Sequence, residues 1–238
     1  MNNQFIKELL KPSEEDGKIQ IPDWVKRVKI DVGTSLNAPN SEIWLNNDTD
    51  CCVFAFEPNK YNVRALETGE NIGRHSRSIK LNPERFNKSF FCFNCALSDY
   101  ISEGQQFYCA EDDSGTSSLF QPKNFEVMDI TSVRVITLSS FFDLFPWERI
   151  QYIEQVKIDA QSSDFNVIKG IGSYLKERIV YLDVETSTNG QYHHDEDPDD
   201  IRHYMEEQGF ECSSWGLDAT FVNKSYKDIL DKINHHRL

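Results

Sequence analysis

Short apolar runs recur along the chain, each followed by a polar stretch with helical spacing, and this alternation predicts a mostly parallel sheet with helices between its strands. Val28 to Asp31 reads as the first strand, and a helix opens near Pro39 and carries Ile43, Trp44 and Leu45. Cys52 to Phe56 is a second strand, Lys60 to Gly69 a helix, and Ser89 to Cys95 a third strand. Between Asp99 and Thr137 the alternation lapses: Gln106 to Cys109 and Val133 to Thr137 read as a β-hairpin insertion around the turn-rich segment Asp112 to Ser118.

Regular alternation then resumes. Leu138 to Phe145 is a short helix and Val156 to Asp159 the fourth core strand. The next helix has Ser162 or Ser163 as its cap, Asp164 in its first turn and Gly170 near its end. Ile179 to Val184 is the fifth core strand. A polar loop, Thr186 to Asp197, leads to a helix with Pro198 in its first position and Gly209 at its stop. Phe210 to Cys212 and Ala219 to Val222 form a closing antiparallel hairpin, before an amphipathic helix from about Tyr226 to Ile233. Residues 1–24 read as an N-terminal arm. Without repeats or a low-complexity linker, 25–238 is a single domain.

Composition narrows the partners. The net charge is −14 and no Lys/Arg-rich block is present, which argues against nucleic acid and weakly favours a neutral small molecule. Mean hydropathy is −0.56 and no apolar run is long enough to span a bilayer, so no membrane role is expected. The first residues lack a secretion pattern, which makes the cytoplasm the expected location. Cys92-Phe-Asn-Cys95 imitates a zinc spacing, but strand geometry sends residues three apart to opposite faces; buried free thiols are the expectation for all six cysteines.

The turn after the first strand, Asp31-Val-Gly33-Thr-Ser35, contains a glycine that allows close backbone approach to a ligand. Glu57 ends the second strand, where its acceptor-only carboxylate suits the two hydroxyls of a ribose. A dinucleotide fingerprint has three glycines, and this turn has one, so a cofactor without a pyrophosphate, such as S-adenosylmethionine, fits better than NAD.

These pieces, with FEP at 56–58, ALSD at 96–99, DSGTSSL at 113–119, KID…D…VIKG at 157–170 and DATFVNK at 218–224, make the chain resemble the FkbM family of S-adenosylmethionine-dependent methyltransferases. The resemblance implies a Rossmann-like methyltransferase fold, a seven-stranded sheet with helices on both faces. It implies the methionine end of the cofactor at Asp31, Gly33 and Ser35, the ribose at Glu57, and the adenine near Leu97, Ser98 and Asp99. Two departures stand out: Leu36 and Asn37 replace the usual second glycine, and Gln161-Ser162 stands where the family often has Glu-Gly.

Methyl transfer to oxygen needs an aligned nucleophile and a proton acceptor. Asp159, at the C-terminal end of the fourth strand, is a candidate base or substrate clamp, or an acid that stabilises the following helix. Glu185 shares a strand face with Asp183 and lies nearer the strand end. His193, in Tyr192-His-His-Asp-Glu-Asp197, is a candidate histidine base; a metal at this stretch is disfavoured against a solvated loop. The expected activity is O-methylation of a sugar or another small hydroxyl compound. A catalytically degenerate binding or scaffold protein, and less so an NAD-dependent dehydrogenase, remain alternatives.

Overall fold

A computed structural model describes residues 3–70, 79–110, 114–186, 190–194 and 197–229. Helix α1 (Asn3–Leu10) precedes strand β1 (Arg27–Val32), α2 (Pro39–Asn47), β2 (Cys51–Phe56), α3 (Lys60–Thr68) and β3 (Phe90–Phe93). Then come β4 (Ala96–Leu97), β5 (Ser102–Ala110), β6 (Val127–Ile136), α4 (Leu138–Phe142) and β7 (Ile153–Ile158). The chain continues with α5 (Asp164–Gly170), α6 (Tyr174–Arg178), β8 (Ile179–Glu185), α7 (Pro198–Glu207), β9 (Phe210–Ser214) and β10 (Asp218–Asn223).

Seven strands form one sheet in the order β3-β2-β1-β7-β8-β10-β9, parallel except where β10 pairs with β8 and β9. This is the Rossmann-like arrangement the resemblance implied. Strand β2 shows why the sheet is covered on both faces. Cys52, Phe54 and Phe56 enter the main core, where Phe54 and Phe56 lie 5.3 and 5.4 Å from the ring of Phe141 on α4. Val53 and Ala55 point the other way, onto Leu45 of α2 and Leu66 of α3. A strand buried on both faces must be apolar at every position, which explains its unbroken run.

The N-terminal arm docks on the main core. Phe5, Ile6, Leu9 and Leu10 are buried in it, and Arg149 donates to the carbonyls of Ile21 and Pro22. Asp197 caps α7 by accepting from the Asp199 N–H, with Pro198 in the first turn as the sequence predicts. Neither Ser162 nor Ser163 supplies a side-chain cap to α5; Asp164 reaches back instead to accept from the Ala160 N–H at 2.8 Å. Half of the predicted final helix, 230–233, lies outside the described residues, and of its described half 227–229 are helical.

The insertion differs from an isolated hairpin. β5 and β6 pair antiparallel, but β4 adds to them in parallel, giving a second sheet of order β4-β6-β5. The N–H of Ser98, just past β4, continues this pairing by donating to the carbonyl of buried Ile136 at 3.1 Å. This small sheet packs its own core from Ala96, Phe107, Cys109, Leu119, Val133 and Val135.

Gly170 joins the two sheets closely. A Cβ there would lie 2.1 Å from the backbone oxygen of Ser98. Gly170→Ala must therefore push α5 away from the β4 end, at a cost of about 1–3 kcal/mol. Thermal unfolding is expected to show a fall of roughly 2–4 °C per kcal/mol for a chain of this size; an unchanged melting temperature would contradict the close approach.

Candidate functional site

Strands β1, β7 and β8 end side by side, and their register decides which side chains meet. Asp31 pairs with Lys157, and Lys157 with Asp183, so all three share one face of the sheet. Two residues further on, the same face carries Asp159 and Glu185, and Glu185 is paired with Asp218 of β10.

Above these ends lies a pocket that opens to solvent. Its apolar wall comes from Val32, Phe56, Ala96, Leu97, Phe107 and Leu119. Its polar wall includes Ser35, Glu57, Ser117, Asp159, Gln161 and Ser163. The second sheet therefore supplies much of one side.

Glu57 is buried, yet both its oxygens are engaged by backbone: Oε2 accepts from the Ser35 N–H at 2.8 Å and Oε1 from the Asn59 N–H at 2.9 Å. Ser35 reaches it because its backbone is left-handed, with φ of 57°. Burial pushes the Glu57 carboxyl up to about 7, against the pull of these amides. Gly33 lines the same pocket, but its need for glycine has a different origin from the one the sequence suggested. A Cβ on Gly33 would lie 1.8 Å from the carbonyl oxygen of Asp159, so the close approach is to strand β7.

Asp31 lies beneath the pocket rather than in its wall. It is 1% exposed and accepts from the Ser41 hydroxyl at 2.5 Å. Burial raises its carboxyl pKa, with Lys157 and Ser41 opposing. Of the three residues expected near adenine, Leu97 faces the pocket. Ser98 is buried against Gly170, and Asp99 turns outward, 3.8 Å from Lys169.

The candidate base has well-defined partners. Asp159 accepts from Lys157 Nζ at 2.9 Å on Oδ2 and from Gln161 Nε2 at 2.7 Å on Oδ1. Burial pushes this carboxyl up, but the Lys157 ammonium and the Gln161 amide outweigh it and hold it below the ordinary carboxylate range. Gln161 Nε2 also donates to Glu185 Oε2 at 2.7 Å, so one amide joins both candidate carboxylates. Asp183, by contrast, is tied to Gln155 and to Thr220 Oγ1 and serves the sheet.

His193 is exposed and outside the pocket wall; its backbone N–H donates to the Gln121 carbonyl. Its neighbour Tyr192 is the side chain that turns inward, 2% exposed, with its hydroxyl 2.9 Å from Gln161 Oε1. Among the described residues no cluster of His, Cys, Asp or Glu has the arrangement of a metal site, and the six cysteines are free thiols.

Sequence reasoning missed Lys157, Gln161 and Tyr192 as site residues. Alternation along β7 puts Lys157 on the face of Asp159, a usable signal. Tyr192 depends on a contact between two distant loops and left none.

The pocket suits S-adenosylmethionine on two counts. Glu57 presents a carboxylate at the end of β2, and Ser163 Oγ is buried in the wall with no hydrogen-bond partner among the described residues, a polar atom that a ligand would satisfy.

Because burial favours the protonated Glu57, the ligand-free fold loses stability as pH rises from the ordinary carboxylate value of 4.5 through about 7. The full effect is about 3 kcal/mol. Between pH 5 and pH 8 the melting temperature of Glu57→Gln is expected to gain on that of the wild type; parallel curves would show that Glu57 is ionised throughout.

No curated protein and no solved structure gives a significant match to the chain. The model of the Methyltransferase FkbM domain matches residues 31–212 of the 238, a span that runs from the Gly33 turn through the pocket wall and both candidate carboxylates into β9. The chain belongs to the FkbM methyltransferase family.

Proposed function

We propose that this protein is a methyltransferase that uses S-adenosylmethionine to methylate a hydroxyl of a sugar or another small neutral molecule. The observation that carries the reading is that a single pocket is lined by both Glu57 and Asp159. The first is suited to hold the cofactor and the second to serve the acceptor. S-adenosylmethionine supplies an electrophilic methyl group when bound.

The residues then divide the work. Ionised Glu57 accepts hydrogen bonds from the two ribose hydroxyls, and Ser163 Oγ gains a partner in the wall. The apolar side around Leu97 and Phe107 takes the base. Asp159 accepts the hydrogen bond of the acceptor hydroxyl and takes its proton as the oxygen reacts. Lys157 keeps Asp159 ionised and therefore ready to accept. Glu185 and Asp218 leave the acceptor end rich in carboxylates, which disfavours anionic acceptors and suits neutral ones.

S-adenosylhomocysteine is expected to raise the melting temperature of the wild type, and Glu57→Ala to abolish the rise. Calorimetry adds a pH signature. Glu57 must be ionised to hold the ribose, and with its carboxyl at about 7, affinity should improve by about tenfold from pH 6 to pH 8. A wild type that does not respond to the nucleoside would overturn the proposal. Binding without turnover on neutral sugars would point instead to a binding protein.

A further inference from the structure

Gln161 occupies a position that the proposed chemistry does not explain. Its backbone is left-handed, with φ of 52°, and Ser162 follows at 69°. Neither is glycine, so each adopts a conformation that a Cβ disfavours by roughly 1–2 kcal/mol. Strain of this kind persists where surrounding contacts over-determine it.

Those contacts converge from four parts of the chain. The Gln161 carboxamide donates one N–H to Asp159 at the end of β7 and the other to Glu185 at the end of β8, both at 2.7 Å. Its Oε1 lies 2.9 Å from the Tyr192 hydroxyl, and its backbone carbonyl accepts from Ser118 Oγ at 2.7 Å. Tyr192 in turn reaches the carbonyl of Thr116 at 2.6 Å. Both donors of the amide are thus used, and the single Tyr192 hydroxyl hydrogen is shared between Gln161 Oε1 and the Thr116 carbonyl.

We propose that Gln161 is the positioning residue of this site: its amide holds Asp159 and Glu185 side by side as hydrogen-bond acceptors and fastens the 114–119 and 190–194 loops over them. The inference deepens the proposed function and rests on it for the meaning of the two carboxylates.

Charge explains why an amide stands here. The groups facing the pair are Asp31 from β1, Lys157 from β7, Asp183 from β8, Asp218 from β10 and Asp164 from α5, with the Tyr192 phenol from the loop. Lys157 is the single cation among them. A glutamate at 161 would put a third carboxylate between Asp159 and Glu185, and three such groups cannot all ionise at this separation. The amide has the same size, carries no charge and supplies the two donors that the carboxylates need.

Three forms of the full-length protein test this: wild type, Gln161→Glu and Gln161→Ala. The new carboxyl of Gln161→Glu has its folded-state pKa raised by its neighbours, so its stability is retained at low pH and lost as pH rises through that value. Its melting temperature should lie near the wild type's at pH 5 and fall behind by several degrees at pH 8. A deficit of equal size at both pH values would mean that residue 161 only fills space.

Calorimetry at pH 6.5 supplies the functional readout. The carboxylate-rich end of the pocket favours the sulfonium of S-adenosylmethionine over neutral S-adenosylhomocysteine. Gln161→Ala, which leaves the carboxylates without their shared donor, should lose at least threefold of that preference. An undiminished preference would overturn the positioning role. If the wild type binds neither nucleoside, the proposed function fails, and the melting curves alone decide whether Gln161 separates the carboxylates.

Discussion

The close approach of β1 and β7 at Gly33 sets the rest of the site. The Asp159 carbonyl oxygen lies where a Cβ on Gly33 would be, and the Asp159 N–H donates to the Val32 carbonyl at 3.1 Å. A larger residue at 33 would hold the strand ends apart. With them together, the β1 turn brings the Ser35 N–H onto Glu57, and the β7 end brings Asp159 into the same pocket. Two carboxylates that belong to different strands thereby share one cavity.

Electrostatics then gives the two carboxylates different characters. Glu57 has only neutral amide partners, so burial wins and its carboxyl rises to about 7. Asp159 is also buried, but an ammonium and a carboxamide outweigh that cost and keep it acidic. Environments that push similar groups apart in pKa are how sites assign distinct roles to them. Gln161 belongs to this division. It stands in a carboxylate-rich stretch and adds donors without adding charge.

The second sheet serves the pocket as a wall rather than as an ornament on the fold. Ala96, Leu97, Phe107 and Leu119 supply apolar surface beside polar strand ends. Ser118, Thr116 and Tyr192 then connect the loops around it to Gln161. A pocket with one apolar side and a few convergent polar groups can bury a nucleoside base while keeping the reacting end polar.

The sequence by itself determined which segments become the core strands and that Glu57 stands at the end of one of them. Runs such as Cys51–Phe56 are apolar at every position because both faces are covered, and local signals such as Asp197-Pro198 act over a few residues. Glu57 was legible because it ends a strand that periodicity already marks. Tertiary structure decided the rest. Ser98 and Asp99 follow Leu97 in sequence, yet neither lines the pocket. His193 and Tyr192 are neighbours, and the bridge between Pro122 and Tyr192 turns the tyrosine inward while His193 stays exposed. Gln161 looked like a lost acid, because its value lies in contacts with residues 31 and 24 positions away, at Tyr192 and Glu185. Local propensity carries no information about such partners; only the meeting of strand ends and loops in space creates them.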